Sequence, residues 1–410
     1  MNIFRMFRSA SLIALAVTTS VVAGAQPAPT APPSPVDPVI SIRRHMLDAD
    51  INAFTFRNMD EMFETRTVSR GGPVWTLPHA PGFAPPTYSF GGQQRSYEEF
   101  AARTFTNAFL VIRDGKIIFE DYRNRSTEKT RFISFSMAKS ITSLLIGKAV
   151  EQGHIRSLDD PASDYVPELK GGGYEGVSIR HILQMRSGVD YEERYDFGET
   201  PSMAMLIHEN AIVQNKERFA DRAKTIGKKT KPGSMFNYAT LDTAILGWVL
   251  ERATKQPVAR YMSDNLWKPA GMEADGFWIA DGPPGTGREL TGMGYNATLR
   301  DFGRLGQLML QDGMRGNKRV LAKGWMQQAT TMLPFPDGGA LGLGKGYGFQ
   351  FWQVDDEPGA YAAVGLAGQF IYVHPKSRTV IVKLSYFPLP EPVDAIPETL
   401  AYFKQVVNSQ

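Results

Sequence analysis

Two segments with the pattern of β-hairpins lie far apart in this chain, and they constrain its fold more than any other feature. The first has apolar strand-forming residues on both sides of Asp114-Gly115, a dipeptide that accepts the positive φ angles of a tight turn. The second has two β-rich runs, at 370–373 and 379–384, around a short polar stretch. Helical patterns occupy much of the sequence between the two hairpins.

This order of patterns predicts that a sheet is assembled from both ends of the folded chain. Helices are expected at 136–152, 178–186, 200–213, 239–253 and 393–407. The predicted fold class is therefore α/β: an α+β sandwich with an antiparallel sheet flanked by helices, and a mainly helical subdomain at roughly 137–300. A binding or active site is expected in the cleft between the sheet and that subdomain.

The N-terminus has the pattern of an export signal. Arg5 and Arg8 precede an apolar run at 11–22, and small residues up to Ala25 provide a cleavage site. We therefore expect 1–25 to be a signal peptide. The alternative is a retained membrane anchor, which is disfavoured because the apolar run is shorter than a membrane-spanning helix.

After the signal, the proline-rich residues 26–40 are predicted to form an extended linker before a domain at 41–410. The chain has no cysteine, which excludes a lipoprotein anchor, disulfides, a thiol nucleophile and thiolate metal sites. Export without disulfides predicts a periplasmic or secreted protein with no stable membrane insertion after cleavage. A net charge of +3, from 45 basic and 42 acidic residues, does not indicate nucleic-acid binding.

A Ser-x-x-Lys sequence, from Ser136 to Lys139, begins the helical pattern at 136–152. Residues three apart share a helix face, so the lysine can reach the serine hydroxyl. Free N–H groups at a helix start can stabilise an oxyanion, and the apolar residues that follow would bury the amine and lower its pKa. The pattern predicts a nucleophile and its base; the alternative is an ordinary exposed lysine.

Two further segments provide context for this pair. Tyr238 directly precedes the helix at 239–253, where its phenol can relay a proton, although a lone tyrosine more often packs on the core. The small residues at 363–368 lead into the terminal hairpin and would let a substrate lie against a strand edge. A backbone N–H there could be a second oxyanion donor; the alternative is an ordinary glycine-rich strand.

The order of the motifs SMAK, NYAT and AVGLAG resembles the serine hydrolase superfamily of class C β-lactamases, penicillin-binding D-alanyl-D-alanine peptidases and related esterases. Longer segments, such as FLVIRDGKIIFEDY and GQFIYVHPKSRTVIVKLSYFP, extend the resemblance over roughly residues 105–390. Within the superfamily, the pattern is most similar to the 6-aminohexanoate-dimer hydrolases, which are nylon-oligomer amidases. The resemblance implies a β-lactamase/transpeptidase-like fold and an acyl-enzyme mechanism that uses no metal and no organic cofactor.

The resemblance also implies a role for each matched residue. Ser136 would be the acylated nucleophile, with Lys139 as its base and Tyr238 as a second proton relay. The N–H groups of Ser136 and Leu366 would form the oxyanion hole. Residues expected to bind substrate are Tyr195, Gly365 and Gln369. By this likeness, the tyrosine at 195 would reach over the cleft to the scissile amide.

Two positions depart from the family pattern. Ala363 stands where lactamases and peptidases have Lys, His or Trp, and Thr240 stands where Asn or Ser is common. Without a cation at position 363, a substrate carboxylate would have no charged partner there. We therefore expect a serine hydrolase whose partner is a small-molecule amide or ester, with small linear amides or carboxylic esters favoured. The alternatives are a β-lactamase, a D-amino-acid peptidase or a non-catalytic penicillin-binding-like sensor of cell-wall fragments. No oligomeric state follows from the sequence.

Overall fold

A computed structural model describes residues 37–80, 82–195, 200–283, 285–335 and 344–409, so the predicted signal peptide and most of the predicted linker lie outside the described residues. The described helices are α1 Pro38–His45, α2 Asn52–Thr55, α3 Tyr97–Arg103, α4 Met137–Glu151, α5 Ala162–Tyr165, α6 Ile179–Leu183, α7 Met203–Ile207, α8 Thr240–Thr254, α9 Val258–Met262, α10 Lys268–Ala270, α11 Leu299–Leu310, α12 Trp325–Ala329 and α13 Ala395–Asn408. None of these described helices is long and apolar enough to cross a membrane.

The described strands are β1 Thr65–Val68, β2 Tyr88–Phe90, β3 Gln93–Arg95, β4 Thr106–Arg113, β5 Lys116–Tyr122, β6 Arg131–Ile133, β7 Gly276–Ile279, β8 Tyr295–Thr298, β9 Met314–Arg315, β10 Lys318–Arg319, β11 Leu333–Pro334, β12 Gly346–Tyr347, β13 Trp352–Gln353, β14 Tyr361–Gly365, β15 Gln369–His374 and β16 Thr379–Ser385. Short 3-10 turns occur at Met59–Glu61, Pro167–Leu169 and Phe219–Lys224, and π-helical turns at His208–Val213 and Ser263–Trp267.

The main sheet joins the two ends of the folded chain, as the two hairpin patterns predicted. Its eight strands run in the order β11-β12-β13-β14-β15-β16-β4-β5, and all neighbouring strands are antiparallel. The central junction pairs β16 with β4, from Thr379 opposite Arg113 to Ser385 opposite Thr106. The predicted fold class, an antiparallel sheet flanked by helices, is confirmed.

Helices cover both faces of this sheet at β4. On one face, α11 packs against β4, β15 and β16. On the other face, Phe109 of β4 contacts the stacked rings of Phe100 from α3 and Tyr402 from α13, each with its centroid 5.8 Å away. Burial on both faces explains why the segment at 109–112 is apolar at every position and does not alternate.

Two parts of the chain are more ordered than the sequence patterns predicted. The last residues of the predicted linker, 38–40, are the first turn of α1, where a proline is well tolerated because its missing N–H would have no helical partner. The ion pair of Arg44 with Glu209, at 2.7 Å, attaches this helix to the domain. In addition, β7 and β8, which lie in the range predicted to be a mainly helical subdomain, belong to a four-stranded sheet ordered β1-β7-β8-β6.

Gly306 of α11 provides a test of the packing of this helix on the sheet. A Cβ atom at this position would overlap Val380 and lie 2.9 Å from Ile371 Cγ2. We expect Gly306→Ala to lower the free energy of unfolding by about 1–3 kcal/mol through overpacking, although alanine is the better helix former. Denaturant unfolding measures the effect. In the control Gly227→Ala, the new Cβ meets nothing within 4 Å, and equal stability of the two variants would contradict the close packing.

Candidate active site

Ser136 lies at the start of α4, directly after β6, where the chain changes direction sharply. The preceding residue, Phe135, has a φ of +41°, in the left-handed region that bulky residues rarely adopt. Its buried ring packs edge-on against Phe56 at 4.8 Å, and the Ser134 N–H donates to the Tyr295 carbonyl at 2.7 Å. The surrounding structure therefore holds a strained turn that presents the serine at a helix N-terminus.

Lys139 lies one helical turn further on, and its side chain points to the serine. The ammonium nitrogen Nζ lies 2.9 Å from Ser136 Oγ, 3.0 Å from Thr240 Oγ1 and 2.8 Å from the Gly292 carbonyl oxygen. Lys139 is 1% exposed. The spacing of the Ser-x-x-Lys motif thus places a buried amine in hydrogen-bond contact with the predicted nucleophile.

The buried position changes the protonation of this amine. Burial lowers the pKa of Lys139 to about 8, because the charged form loses its hydration, while the negative charge of Glu193 acts in the opposite direction. A lysine with this pKa is partly unprotonated near neutral pH. It can therefore accept a proton from a neighbouring hydroxyl.

Tyr238 completes the predicted set at the junction before α8. Its ring centre lies 5.0 Å from Lys139 Nζ. Trp352 packs on the ring at 5.4 Å. Burial raises the pKa of Tyr238 above its ordinary value, and the charge of Glu193 raises it further. The phenol therefore keeps its proton at neutral pH and can donate it.

Glu193 belongs to this site, although the sequence analysis did not select it. Its two carboxylate oxygens accept from the Thr240 backbone N–H and the Thr240 hydroxyl, both at 2.7 Å. The carboxylate therefore lies at the N-terminus of α8, where a negative charge is favourable. The sequence offers little to single it out, because Asp190, Glu192 and Glu193 all lie in the same polar stretch.

Tyr195 reaches the same carboxylate. Its hydroxyl donates to Glu193 Oε1, and its ring contacts His208 edge-on at 5.9 Å. The residue is 51% exposed, so one side of the ring is open while the hydroxyl points inward. The structure thus brings Tyr195 to the border of the candidate site, joined to Thr240 through Glu193.

Strand β14 brings the predicted oxyanion segment beside Ser136. A Cβ atom on Gly365 would overlap the Ser134 carbonyl oxygen and lie 3.1 Å from Ser136 N, so this close approach requires glycine. The chain then turns after Leu366. Within the described parts of the chain, the N–H groups of Ser136 and Leu366 donate to no protein acceptor. Both remain available for a substrate oxygen.

Gln369 lies in a different environment from the one expected of a substrate-binding residue. Its buried side-chain amide donates to the carbonyl oxygens of Leu366, Ala367 and Ser385 at 2.9–3.1 Å, and its oxygen accepts from the Ser385 N–H at 3.1 Å. A buried amide must satisfy its hydrogen bonds, and the turn supplies the partners. Gln369 therefore stabilises the turn that carries Leu366 from its buried side.

The arrangement of a serine, a buried lysine, a tyrosine and two free N–H groups agrees with a comparison at the level of families. The sequence profile described as Beta-lactamase matches residues 95–401. The chain belongs to the β-lactamase family. The resemblance inferred from the order of the motifs is therefore confirmed, and the protein is an enzyme of the hydrolase class.

This hydrolase is similar in sequence or in fold to several known proteins. It is 28% identical over 361 residues to the 6-aminohexanoate-dimer hydrolase of Paenarthrobacter ureafaciens, covering 84% of this chain and 88% of that protein. A solved structure from Bacillus anthracis that carries the same enzyme name superposes with a TM-score of 0.77, at 22% identity, over 88% of this chain and 95% of the other. A hydrolase with promiscuous acyltransferase activity superposes with a TM-score of 0.59, at 18% identity, over 76% and 96% of the two chains. The two structural likenesses concern the fold, and hydrolysis of an amide or ester is consistent with all three relatives.

The pKa of Lys139 predicts the pH dependence of this β-lactamase family member. As a base, Lys139 works only when unprotonated, so kcat/KM should rise with pH through an apparent pKa of about 8. This rise is the acidic limb of the pH profile, and it is measured with an activated ester assayed from about pH 6 to about pH 10. The control is Lys148→Ala, which removes a lysine of the same helix that pairs with Glu151 at 2.7 Å. That variant should keep the wild-type limb, and a wild-type profile that is flat through pH 8 would contradict the assignment.

Proposed function

We propose that this hydrolase cleaves small linear amides or carboxylic esters through an acyl-Ser136 intermediate. The observation that supports the proposal is the 2.9 Å contact between Nζ of the buried Lys139 and Ser136 Oγ. A hydroxyl is a weak nucleophile at neutral pH, and a neighbouring base within hydrogen-bond reach is the usual way to activate it.

In the acylation step, Ser136 Oγ attacks the substrate carbonyl carbon and its proton passes to Lys139 Nζ. The carbonyl oxygen becomes an oxyanion that faces the N–H groups of Ser136 and Leu366. The Tyr238 phenol donates its proton to the departing nitrogen or oxygen, and Lys139 returns a proton to the phenolate. The bond to the leaving group breaks, and the acyl group remains on Ser136.

Deacylation reverses the proton path with water as the nucleophile. The Tyr238 phenol passes its proton to Lys139 Nζ and takes one from the attacking water, and the same two N–H groups stabilise the second oxyanion. When the ester bond to Ser136 breaks, the serine oxygen recovers a proton from Lys139. The products are a carboxylic acid and a free amine or alcohol, and the enzyme returns to its starting state.

The substrate ranking follows from the charge of the cleft and from the relatives. Ala363, at the strand position where lactamases and peptidases carry a cation or Trp, is apolar and buried. A substrate carboxylate therefore finds no positive charge at that point, so we rank linear amides and esters above β-lactams and D-amino-acid peptides. The relative named 6-aminohexanoate-dimer hydrolase supports a linear amide such as that dimer. Tyr195 would contact the scissile amide from the border of the site.

The proposal includes export of the enzyme. Residues 1–25 have the charge and apolar pattern of a signal peptide, and the proline-rich stretch after them would separate the cleavage site from the domain. A chain without cysteine folds in an oxidising compartment without forming wrong disulfides. We place the mature hydrolase in the periplasm or the medium, with a small-molecule substrate as its partner and no affinity for nucleic acid.

A fluorophosphonate probe tests the nucleophile. The probe should label the wild-type protein and not Ser136→Ala, because phosphonylation requires the activated hydroxyl. The matched control is Ser140→Ala, which removes a hydroxyl from the next turn of α4 that donates to the Gln350 carbonyl oxygen. Intact-protein mass spectrometry reads the adduct, and labelling that persists in Ser136→Ala would refute the mechanism.

A substrate panel on the same preparation tests the reaction class. The linear 6-aminohexanoate dimer and p-nitrophenyl butyrate should be turned over, and a chromogenic cephalosporin should react more slowly. Stoichiometric labelling without turnover of any of these compounds would favour a non-catalytic sensor.

Mass spectrometry of the protein recovered from the periplasmic fraction tests the export proposal. The expected product begins at Gln26, since cleavage after Ala25 removes the signal peptide. A product that keeps Met1 and sediments with membranes would contradict it.

A further inference from the structure

Among the described residues, Lys139 Nζ has two hydrogen-bond partners besides Ser136. One of them can form its hydrogen bond in either direction. The Gly292 carbonyl oxygen, 2.8 Å from Nζ, can only accept. The Thr240 hydroxyl, 3.0 Å from Nζ, has one proton, so it can either accept from the lysine or donate to it. The direction of the Thr240 hydroxyl therefore decides how the hydrogens of the amine are arranged.

Glu193 fixes that direction. Its Oε2 accepts from the Thr240 backbone N–H, and its Oε1 lies 2.7 Å from Thr240 Oγ1. A carboxylate has no proton to donate, so the single hydroxyl proton of Thr240 points to Glu193. The Thr240 oxygen is then left to accept a hydrogen bond from Lys139.

A neutral amine carries two N–H bonds and one lone pair. With Thr240 and Gly292 both accepting, the two N–H bonds of Lys139 are used, and the lone pair remains for Ser136 Oγ at 2.9 Å. We propose that Glu193 is a positioning residue that orients the lone pair of Lys139 toward Ser136, acting through the Thr240 hydroxyl. This inference rests on the proposed function, because it requires Lys139 to be the base.

The direction in which the pKa of Lys139 moves when the charge of Glu193 is removed tests the role of Glu193. Among the described residues, the titratable groups that face Lys139 are Tyr238, whose ring is 5.0 Å away, and Glu193 beyond Thr240. Asp242, in the first turn of α8, points instead to the Tyr174 hydroxyl at 2.6 Å. The charge of Glu193 raises the pKa of Lys139 against the effect of burial. Removing the carboxylate should lower that pKa, whereas loosening the site to water should raise it.

The first test is Glu193→Gln, assayed with an activated ester. The amide can present its NH₂ to Thr240 Oγ1, so the hydroxyl can turn and donate to the lysine lone pair. We expect kcat to fall by roughly 10–100-fold and the acidic limb of kcat/KM to move to lower pH. The control is Glu192→Gln, because the side chain of Glu192 is 65% exposed and paired with Arg194 at 3.1 Å. This control should keep the wild-type rate and limb.

A double-mutant cycle then tests the path through Thr240. Thr240→Val removes the hydroxyl while keeping the shape, and Thr240→Ser restores a hydroxyl at the same place. In the Thr240→Val background, Glu193→Gln should have almost no further effect on kcat, because residues that act as one unit give non-additive losses. Thr240→Ser should retain most of the wild-type rate. Losses that multiply in the double variant would overturn the inference.

Two further measurements separate this inference from its alternatives. Tyr195→Phe removes the other hydroxyl that donates to Glu193 Oε1, and it should leave the acidic limb in place. If it reproduces the shift of Glu193→Gln, the carboxylate acts through Tyr195 and not through Thr240. Fluorophosphonate labelling of the wild-type Ser136 tests the proposed function independently. When that labelling is present, a Glu193→Gln limb that stays or moves to higher pH overturns only the role of Glu193.

Discussion

The burial of one lysine amine beside one serine hydroxyl is the constraint on which the site depends. Lys139 has lost nearly all contact with solvent, and this loss lowers the pKa of the amine to about 8. An isolated buried ammonium would be costly, and the structure reduces the cost with three oxygen partners at 2.8–3.0 Å. These partners come from α4, the start of α8 and the segment before β8. One nitrogen atom therefore joins three distant parts of the chain through hydrogen bonds.

The sequence predicts the part of the site that depends on local geometry. Ser136 and Lys139 meet because residues three apart lie on one face of a helix, and this relation holds in any fold that keeps the helix. The roles of Tyr238 and Leu366 came from family resemblance, because no periodicity links residues about a hundred or more positions apart. Neither local geometry nor the family resemblance identified Glu193, since three acidic residues of one polar stretch are equivalent until tertiary packing selects one.

A similar division applies to the fold. The two hairpins and the long helices could be predicted because each has a local period and clear end signals. The two-residue strands β11, β12 and β13 have no such period. They are strands because β13 pairs with β14, β12 with β13 and β11 with β12. The predicted linker ended too late for a related reason, since the first turn of α1 contains no buried residue and its helical pattern is weak. Gln369 was expected to bind substrate, yet its buried amide is hydrogen-bonded to the turn that carries Leu366 and to Ser385.

The position of β16 near the C-terminus has a consequence for the order in which the site is assembled. Ser385, at the end of β16, holds Gln369, which in turn holds the turn that carries Leu366. The turn can therefore be braced only after β16, near the C-terminus, has been made and has paired with β15. Ribosomes make the N-terminal part first. A chain that is still emerging has Ser136 and Lys139 close together in sequence but lacks the braced turn. Assembly of the complete site therefore follows synthesis of the two C-terminal strands.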